Sequence, residues 1–484
     1  MNQPPHVMNK SIVCIAIAVL FMGLVGCSHQ KATIQGLVKL DGIDEIGFSG
    51  FKENPIWGID KEINIHIDST RTFNVEVDIE QISDCWMQFG MGTENATSKR
   101  IFISPGDKLE LIINETGISF NGKGAEINKL YSRVEANGLC THQLINSLMH
   151  NHISLEAYIE NVKGFQARRR QLIEDLDRKD KLSDKLEKFY NDQTDLDYRF
   201  LITALFRHSF YTDISSVNLF KMFKNEISVD EFTNDEWVTY HDYISLLKHY
   251  LFYVKGLEIS RNSSGVGLFE GVEIALTDSL KGLSQQYALA EYIYSNLDNG
   301  KYDSLLVNHF NNIARDEFAK KTVADALDKY EQKEYLIGKP LHEEFANTVL
   351  TDTANNPLLF GEMLESYKGN IVYMEVWSLS CGPCLRSMPT ARMLEKEMGN
   401  LPVKFVYLTT DKLNNTLWKH VFKASLTKEN HYRLVNGTNS RMNKFMHSTL
   451  VPWYLLFDKQ GNLLDFHAED PYTIKEKLIA LGKK

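Results

Sequence analysis

The chain has 484 residues, 43% of them hydrophobic and 24% charged, with a formal net charge of −10. One core cannot absorb that length, so about three domains are expected. The composition excludes a disordered chain, and the acidic balance without a clustered basic motif argues for no nucleic acid among the partners. The single dense basic run, Arg168, Arg169 and Arg170, is followed by Glu and Asp in a helical-looking stretch and reads as a solvated helix face.

The chain starts with a targeting pattern. Lys10 supplies positive charge, and "SIVCIAIAVLFMGLVG" is an apolar run rather short for a membrane span. It ends in "LVGC", Leu24 to Cys27, which resembles a bacterial lipobox. That resemblance implies a signal peptide over residues 1–26, cleavage after the small Gly26, and a lipid thioether on Cys27 that holds the protein to membrane lipid. The alternative is an ordinary cleaved signal with a chance cysteine. The seven residues before Met8 add nothing to the signal, so Met8 serves equally as a start. "SHQK" after Cys27 lacks the aspartate associated with inner-membrane retention. The expected location is therefore the cell envelope, lipid-anchored, facing the periplasm on the outer membrane.

Residues 27–127 read as an all-β, sandwich-like module. "ATIQGLVKL", "EINIHIDS", "TFNVEVDI", "CWMQFGMG" and "KLELIIN" are rich in strand formers, and "LDG", "ENP", "SPGD" and "NGKG" punctuate them. Through "PGD" and "GKGAEINKL" this stretch resembles a domain of unknown function often found ahead of thioredoxin-like domains in envelope lipoproteins. Residues 128–337 read as a helical region: Leu182, Leu186, Phe189 and Tyr190 fall on one helical face. His208, His241 and His249 lack metal-ligand spacing and are read as core or surface residues. No catalytic constellation is visible there, which suggests a spacer or a partner surface.

Residues 338–484 alternate. "NIVYMEVW" and "VKFVYLTTD" are buried-type strands. "CLRSMPTARMLEKEMG" and "TLWKHVFKASL" are helical. "VPWYLLFDKQGNLLDF" is a hairpin, and "YTIKEKLIALG" is a closing helix. This order predicts an α/β domain with a mixed central sheet.

Four cysteines outlast the signal and the lipid site: Cys85, Cys140, Cys381 and Cys384. The first two are isolated in sequence, and their pairing stays open. Cys381 and Cys384 follow a strand and open a helix, the context of a redox C-x-x-C pair. At the helix N-terminus, free N–H groups and the dipole favour a Cys381 thiolate. Cys384, one turn in, would resolve a mixed disulfide, and Gly382 and Pro383 permit the tight entry into the helix. A zinc site would need two more ligands, and no second C-x-x-C or H-x-x-x-H is present, so no metal is expected. Two inert thiols at this spacing in an exported chain would readily form a disulfide. No cofactor beyond the Cys381–Cys384 disulfide is expected.

"IVYMEVWSLSCGPCLRSMP" resembles the active-site stretch of the thioredoxin superfamily, in particular the TlpA-like envelope thiol-disulfide oxidoreductases. The resemblance covers about the last 145 residues and implies a thioredoxin-like fold there. It matches Trp377 to the family's tryptophan, Glu375 to its buried acid, Pro389 to its helix proline and Pro452 to its cis-proline, with Val451 offering backbone to a substrate strand. Glu375, on an apolar strand, is then expected to exchange a proton with Cys384. The alternative is a surface residue paired with lysine. The sequence departs from the pattern at Ser380, where an aromatic residue is usual. It departs again at Arg386 and Ser387, where many members carry a second acid. Arg386 is expected to face solvent.

A CGPC pair suits a reducing couple near the thioredoxin value of about −270 mV. The expectation is a disulfide reductase acting on disulfide-containing envelope proteins. The compartment and the resemblance imply a membrane electron donor of the DsbD type. Two alternatives stand: an oxidase or isomerase, if the pair is kept oxidised, and a non-enzymatic lipoprotein that binds a partner or ligand.

Overall fold

The computed structural model describes residues 31–51, 61–79, 82–90, 97–141, 144–145, 154–209, 219–220, 232–238, 240–412, 416–425, 430–448 and 451–483. The signal segment and Cys27 lie outside these, as do the side chains of His208 and His241. The chain forms two compact units, residues 1–288 and 289–484.

The first unit begins with eight strands: β1 (Ala32–Val38), β2 (Glu45–Phe51), β3 (Lys61–His66), β4 (Thr72–Val77), β5 (Ser83–Phe89), β6 (Thr97–Ile103), β7 (Lys108–Asn114) and β8 (Gly117–Lys123). They make two four-stranded sheets ordered β4-β1-β7-β8 and β3-β2-β5-β6. Alternation along β4 and β5 sends every second side chain inward, as a sheet with one buried face requires. Inward residues of both sheets, among them Ile34, Phe48, Val75, Met87, Ile101 and Leu111, share one apolar core. Phe48 and Phe73, one from each sheet, lie 6.1 Å apart. This is a β-sandwich.

The "PGD" and "GKGAEINKL" motifs join the sandwich to the next helix, Ala125–Ala136. Asp107 accepts from the Ser104 N–H at 2.8 Å and packs where a Cβ on Gly124 would lie, so Gly124, at φ 95°, admits no side chain. Asn128 is buried. Its side chain accepts from the Phe102 N–H and donates to the Phe102 carbonyl, each at 2.8 Å, standing in for a strand neighbour on β6. Two long helices follow, Leu155–Asp180 and Asp184–Ser209. The basic run lies on the first of these, where Arg169 pairs with Asp197 and Arg170 with Asp195 on the second. Leu186, Phe189 and Tyr190 are buried as a face, whereas Leu182 precedes the helix and is half-buried.

The second unit carries the helices Ser304–Ile313 and Glu317–Tyr335 ahead of a seven-stranded sheet. Its strands are β9 (Val349–Thr351), β10 (Pro357–Leu359), β11 (Ile371–Trp377), β12 (Val403–Thr409), β13 (His431–Leu434), β14 (Trp453–Phe457) and β15 (Leu463–Asp465), in the order β10-β9-β13-β12-β11-β14-β15. β11 is central, parallel to β12 and antiparallel to β14, and is buried along its whole length. Both of its faces are therefore covered. Val372, Met374 and Val376 point into one apolar core, and Ile371, Tyr373 and Trp377 into the other. Strand alternation puts Glu375 on that second face, the face that holds Cys381 and Cys384.

Candidate active site

β11 ends at Trp377, and the chain turns through Ser378, Leu379 and Ser380 into the helix Gly382–Met398. Asp411 ties this turn down. Its carboxylate accepts from the Leu379 N–H at 2.9 Å and from the Thr409 hydroxyl at 2.5 Å, at the end of β12. The Cys381 N–H closes the turn on the Ser378 carbonyl at 3.1 Å. Cys381 is the N-cap of the helix, Pro383 occupies its first turn at no hydrogen-bond cost, and Gly399 ends it.

Cys381 and Cys384 are joined as a disulfide, with Cα atoms 5.3 Å apart. The Cys384 N–H donates to the Cys381 sulfur at 3.1 Å. Cys381 keeps 7% of its surface exposed, whereas Cys384 is sealed at 0%. Of the two cysteines only Cys381 keeps any exposed surface, and its sulfur receives an N–H that has no helical partner, at the positive end of a helix. Trp377 is wholly buried in the cluster with both cysteines, and Val451 packs against it. The Val451–Pro452 peptide bond is cis, and both residues are half-buried. Pro389 lies inside the helix on its exposed side. Arg386 is exposed, but its Nη1 would lie only 3.3 Å from a Cβ at Gly382, so its guanidinium leans back over the start of the helix.

Glu375 is 2% exposed. Burial raises its carboxyl from the usual range to about 8, against the lowering effect of the Tyr454 and Ser387 hydroxyls. The Tyr454 hydroxyl donates to Oε1 at 3.3 Å, and Oε2 is buried with no partner among the described residues. Among the described residues no lysine pairs with it. In the antiparallel register Glu375 stands opposite Tyr454, and in the parallel register opposite Tyr407. Tyr373 stacks on Tyr454 at 5.6 Å. The carboxyl therefore lies among phenol rings, in a site dry enough to hold it neutral below about pH 8.

Sequence reasoning missed Tyr454 and Ser387. Tyr454 sits in an apolar run and reads as core. Ser387 reads only as the absence of an acid. The available signal was their placement: Tyr454 lies two residues past Pro452, the residue matched to the family's cis-proline. Ser387 lies one helical turn beyond Cys384 and so shares its face. Among the described residues, no group of three or more His, Cys, Asp or Glu is placed to hold a metal ion, and no helix is long and apolar enough to cross a membrane.

No family model matches the chain, and no curated protein matches it. Solved structures do match part of it, among them thiol-disulfide oxidoreductases and thioredoxin-like proteins. The thioredoxin domain of a thiol-disulfide oxidoreductase from Bacteroides vulgatus is 16% identical, over 29% of this chain and 99% of that one, with a TM-score of 0.24. A thiol:disulfide interchange protein from Bacteroides sp. is 13% identical, over 28% and 86%, with a TM-score of 0.25. An exposed lipoprotein thioredoxin from Streptococcus pneumoniae is 22% identical, over 28% and 98%, with a TM-score of 0.22. Likeness at this level concerns the fold of less than a third of the chain and carries no argument about its activity.

Proposed function

We propose that this chain is a thiol-disulfide oxidoreductase that reduces disulfides of envelope proteins through Cys381 and Cys384. The observation that carries the reading is the asymmetry of the pair: the reachable sulfur receives the Cys384 N–H, and its partner sulfur is sealed behind it. In the reduced protein that N–H and the helix dipole stabilise a Cys381 thiolate. The thiolate attacks one sulfur of the substrate disulfide, and the other leaves as a thiol. Cys384 then loses its proton to the ionised form of Glu375 and attacks Cys381. The mixed disulfide breaks, the substrate's second sulfur leaves and takes a proton, and the Cys381–Cys384 disulfide forms. Two cysteine thiols are oxidised and one substrate disulfide is reduced. Val451, beside the cis bond, presents its backbone to the substrate. Gly382 and Pro383 shape the approach to Cys381, and Trp377, buried in the same cluster, supports the pair from within.

The same reading keeps residues 1–26 as a signal peptide, Cys27 as the lipid site and the periplasmic face of the envelope as the location. A membrane donor of the DsbD type would return two electrons per cycle. Boundaries at 127/128 and 337/338 belong to the same proposal. Insulin reduction by the full chain with dithiothreitol is the test. Acceleration that is lost in Cys381→Ser supports the reading. No acceleration with both cysteines intact leaves a binding lipoprotein instead.

A further inference from the structure

Glu375 does not stand alone beneath the cysteine pair. The Ser387 hydroxyl lies 2.9 Å from the Cys384 carbonyl and 3.1 Å from the Tyr454 hydroxyl, and Tyr454 donates to Glu375 Oε1 at 3.3 Å. All three side chains are buried. Ser387 has a single proton, so at any moment it serves either the Cys384 carbonyl or the Tyr454 oxygen. When Glu375 is ionised, Tyr454 turns its proton to the carboxylate and Ser387 turns its own to Tyr454. When Glu375 is protonated, neither demand exists, and Ser387 returns to the Cys384 carbonyl. We infer that Ser387 and Tyr454 form a hydroxyl relay that positions Glu375 and sets the pH at which it accepts the Cys384 proton. This inference rests on the exchange reading above and assigns two positioning residues to that same site.

The surroundings leave the relay as the polar partner of the carboxyl. The titratable neighbours of Glu375 are Tyr373 on its own strand, Tyr407 on β12 and Tyr454 on β14, with the Ser387 hydroxyl reaching Tyr454 from the helix, and Cys381 and Cys384 lie in the apolar cluster on the same side of the sheet. Glu395 and Asp470 act on the neighbouring phenols rather than on Glu375. No cation contributes to its shift: burial works against ionisation, and the two hydroxyls work for it. Tyr373 offers an internal comparison, because it is also a buried phenol on this face but spends its proton on the Glu469 carbonyl at 2.8 Å.

The experiment follows release of a preformed Cys381 mixed disulfide by Cys384 in single turnovers of the full chain across pH. Tyr454→Phe keeps the ring stacked on Tyr373 and removes one hydroxyl. It is expected to move the acidic limb of the rate profile up by about one pH unit, the worth of a hydrogen bond to a charged group, with the rate above that limb recovering to near wild type. Ser387→Ala is expected to move it the same way by less, and it serves where Tyr454→Phe folds poorly. Tyr373→Phe is expected to leave the limb in place. In a Glu375→Gln background, Tyr454→Phe is expected to add nothing. Superimposed profiles for wild type, Tyr454→Phe and Ser387→Ala, in proteins that still reduce insulin, overturn the relay alone. Failure of the wild type to release the mixed disulfide at any pH overturns the exchange reading and the relay with it.

Discussion

Two pairs of cysteines in one chain meet opposite fates. Cys85 lies mid-strand in β5 with no exposed surface, and burial, reinforced by the Asp84 charge, pushes its thiol well above the ordinary range. Cys140 is buried beyond the Ala125–Ala136 helix and donates to the Tyr131 hydroxyl at 3.4 Å, and burial raises it too. Neither is a disulfide sulfur. Cys381 is nearly as enclosed, yet its sulfur receives the Cys384 N–H at the tip of a helix. A strand spends its N–H groups on its neighbours, as Cys85 shows in its pairing with Ile101, and leaves none for sulfur. Reactivity here follows what the backbone offers the sulfur rather than how deeply the sulfur is buried.

The comparison breaks most visibly by mutation. Cys381→Ser is expected to reduce insulin-reducing activity by about a thousandfold or more, since the nucleophile itself is lost. Cys384→Ser is expected to accumulate mixed disulfides in cells. The double variant Cys85→Ala and Cys140→Ala is expected to reduce insulin as the wild type does. Loss of activity in that double variant would show that the two pairs do not differ as described.

Glu375→Gln is expected to slow turnover by about a hundredfold, the scale of a lost general base. It also carries a stability signature. The folded carboxyl titrates at about 8 against 4.5 in the unfolded chain. Between those values the unfolded state releases the proton that the folded state keeps, so stability is full below about pH 4.5 and declines as pH rises through 8. Above that pH, Glu375→Gln is expected to be the more stable protein by a few kcal/mol, on the order of the shift's free energy. Equal melting at pH 9 would contradict the burial of the carboxyl.

His431 gives a smaller effect of opposite sign. It stacks on Tyr407 at 4.9 Å, both ring nitrogens are buried without a partner among the described residues, and burial lowers it to about 4. The unfolded chain takes up the proton near 6.5, so stability is lost as pH falls from about 6.5 to about 4. His431→Phe is expected to flatten that acid dependence by roughly 2–3 kcal/mol, seen in thermal unfolding at pH 4.5 and 7. An unchanged pH dependence would mean that the imidazole is hydrated.

Much of the second unit was legible because its elements are long and strongly patterned. β11, β12 and β14 are near-continuous apolar runs, and the CGPC spacing marks the helix start. β9, β10 and β13 have three or four residues each, too few for a period to show. In the sandwich, β2 is interrupted by glycines and β6 by charge, so neither declared itself. β8 hid behind "NGKG", read as a turn. Gly122 is needed there because a Cβ would lie 2.3 Å from the Lys108 carbonyl oxygen across the ladder. At the site, Cys381 and Cys384 stood out by spacing, and Glu375 and Pro452 by the resemblance to the thioredoxin superfamily. Tyr454 and Ser387 did not, because their contact with Glu375 depends on the register of β14 against β11 and on the helix phase, which no local pattern encodes.

The most direct test is the ionisation of Cys381 in the reduced full chain, read as the pH dependence of its alkylation rate with Cys85 and Cys140 followed by mass spectrometry in the same sample. The helix N-terminus predicts a midpoint below that of a free cysteine for Cys381, with Cys85 and Cys140 unmodified until the protein unfolds. A Cys381 midpoint at or above about 8.5, the value of an unperturbed thiol, would contradict the account.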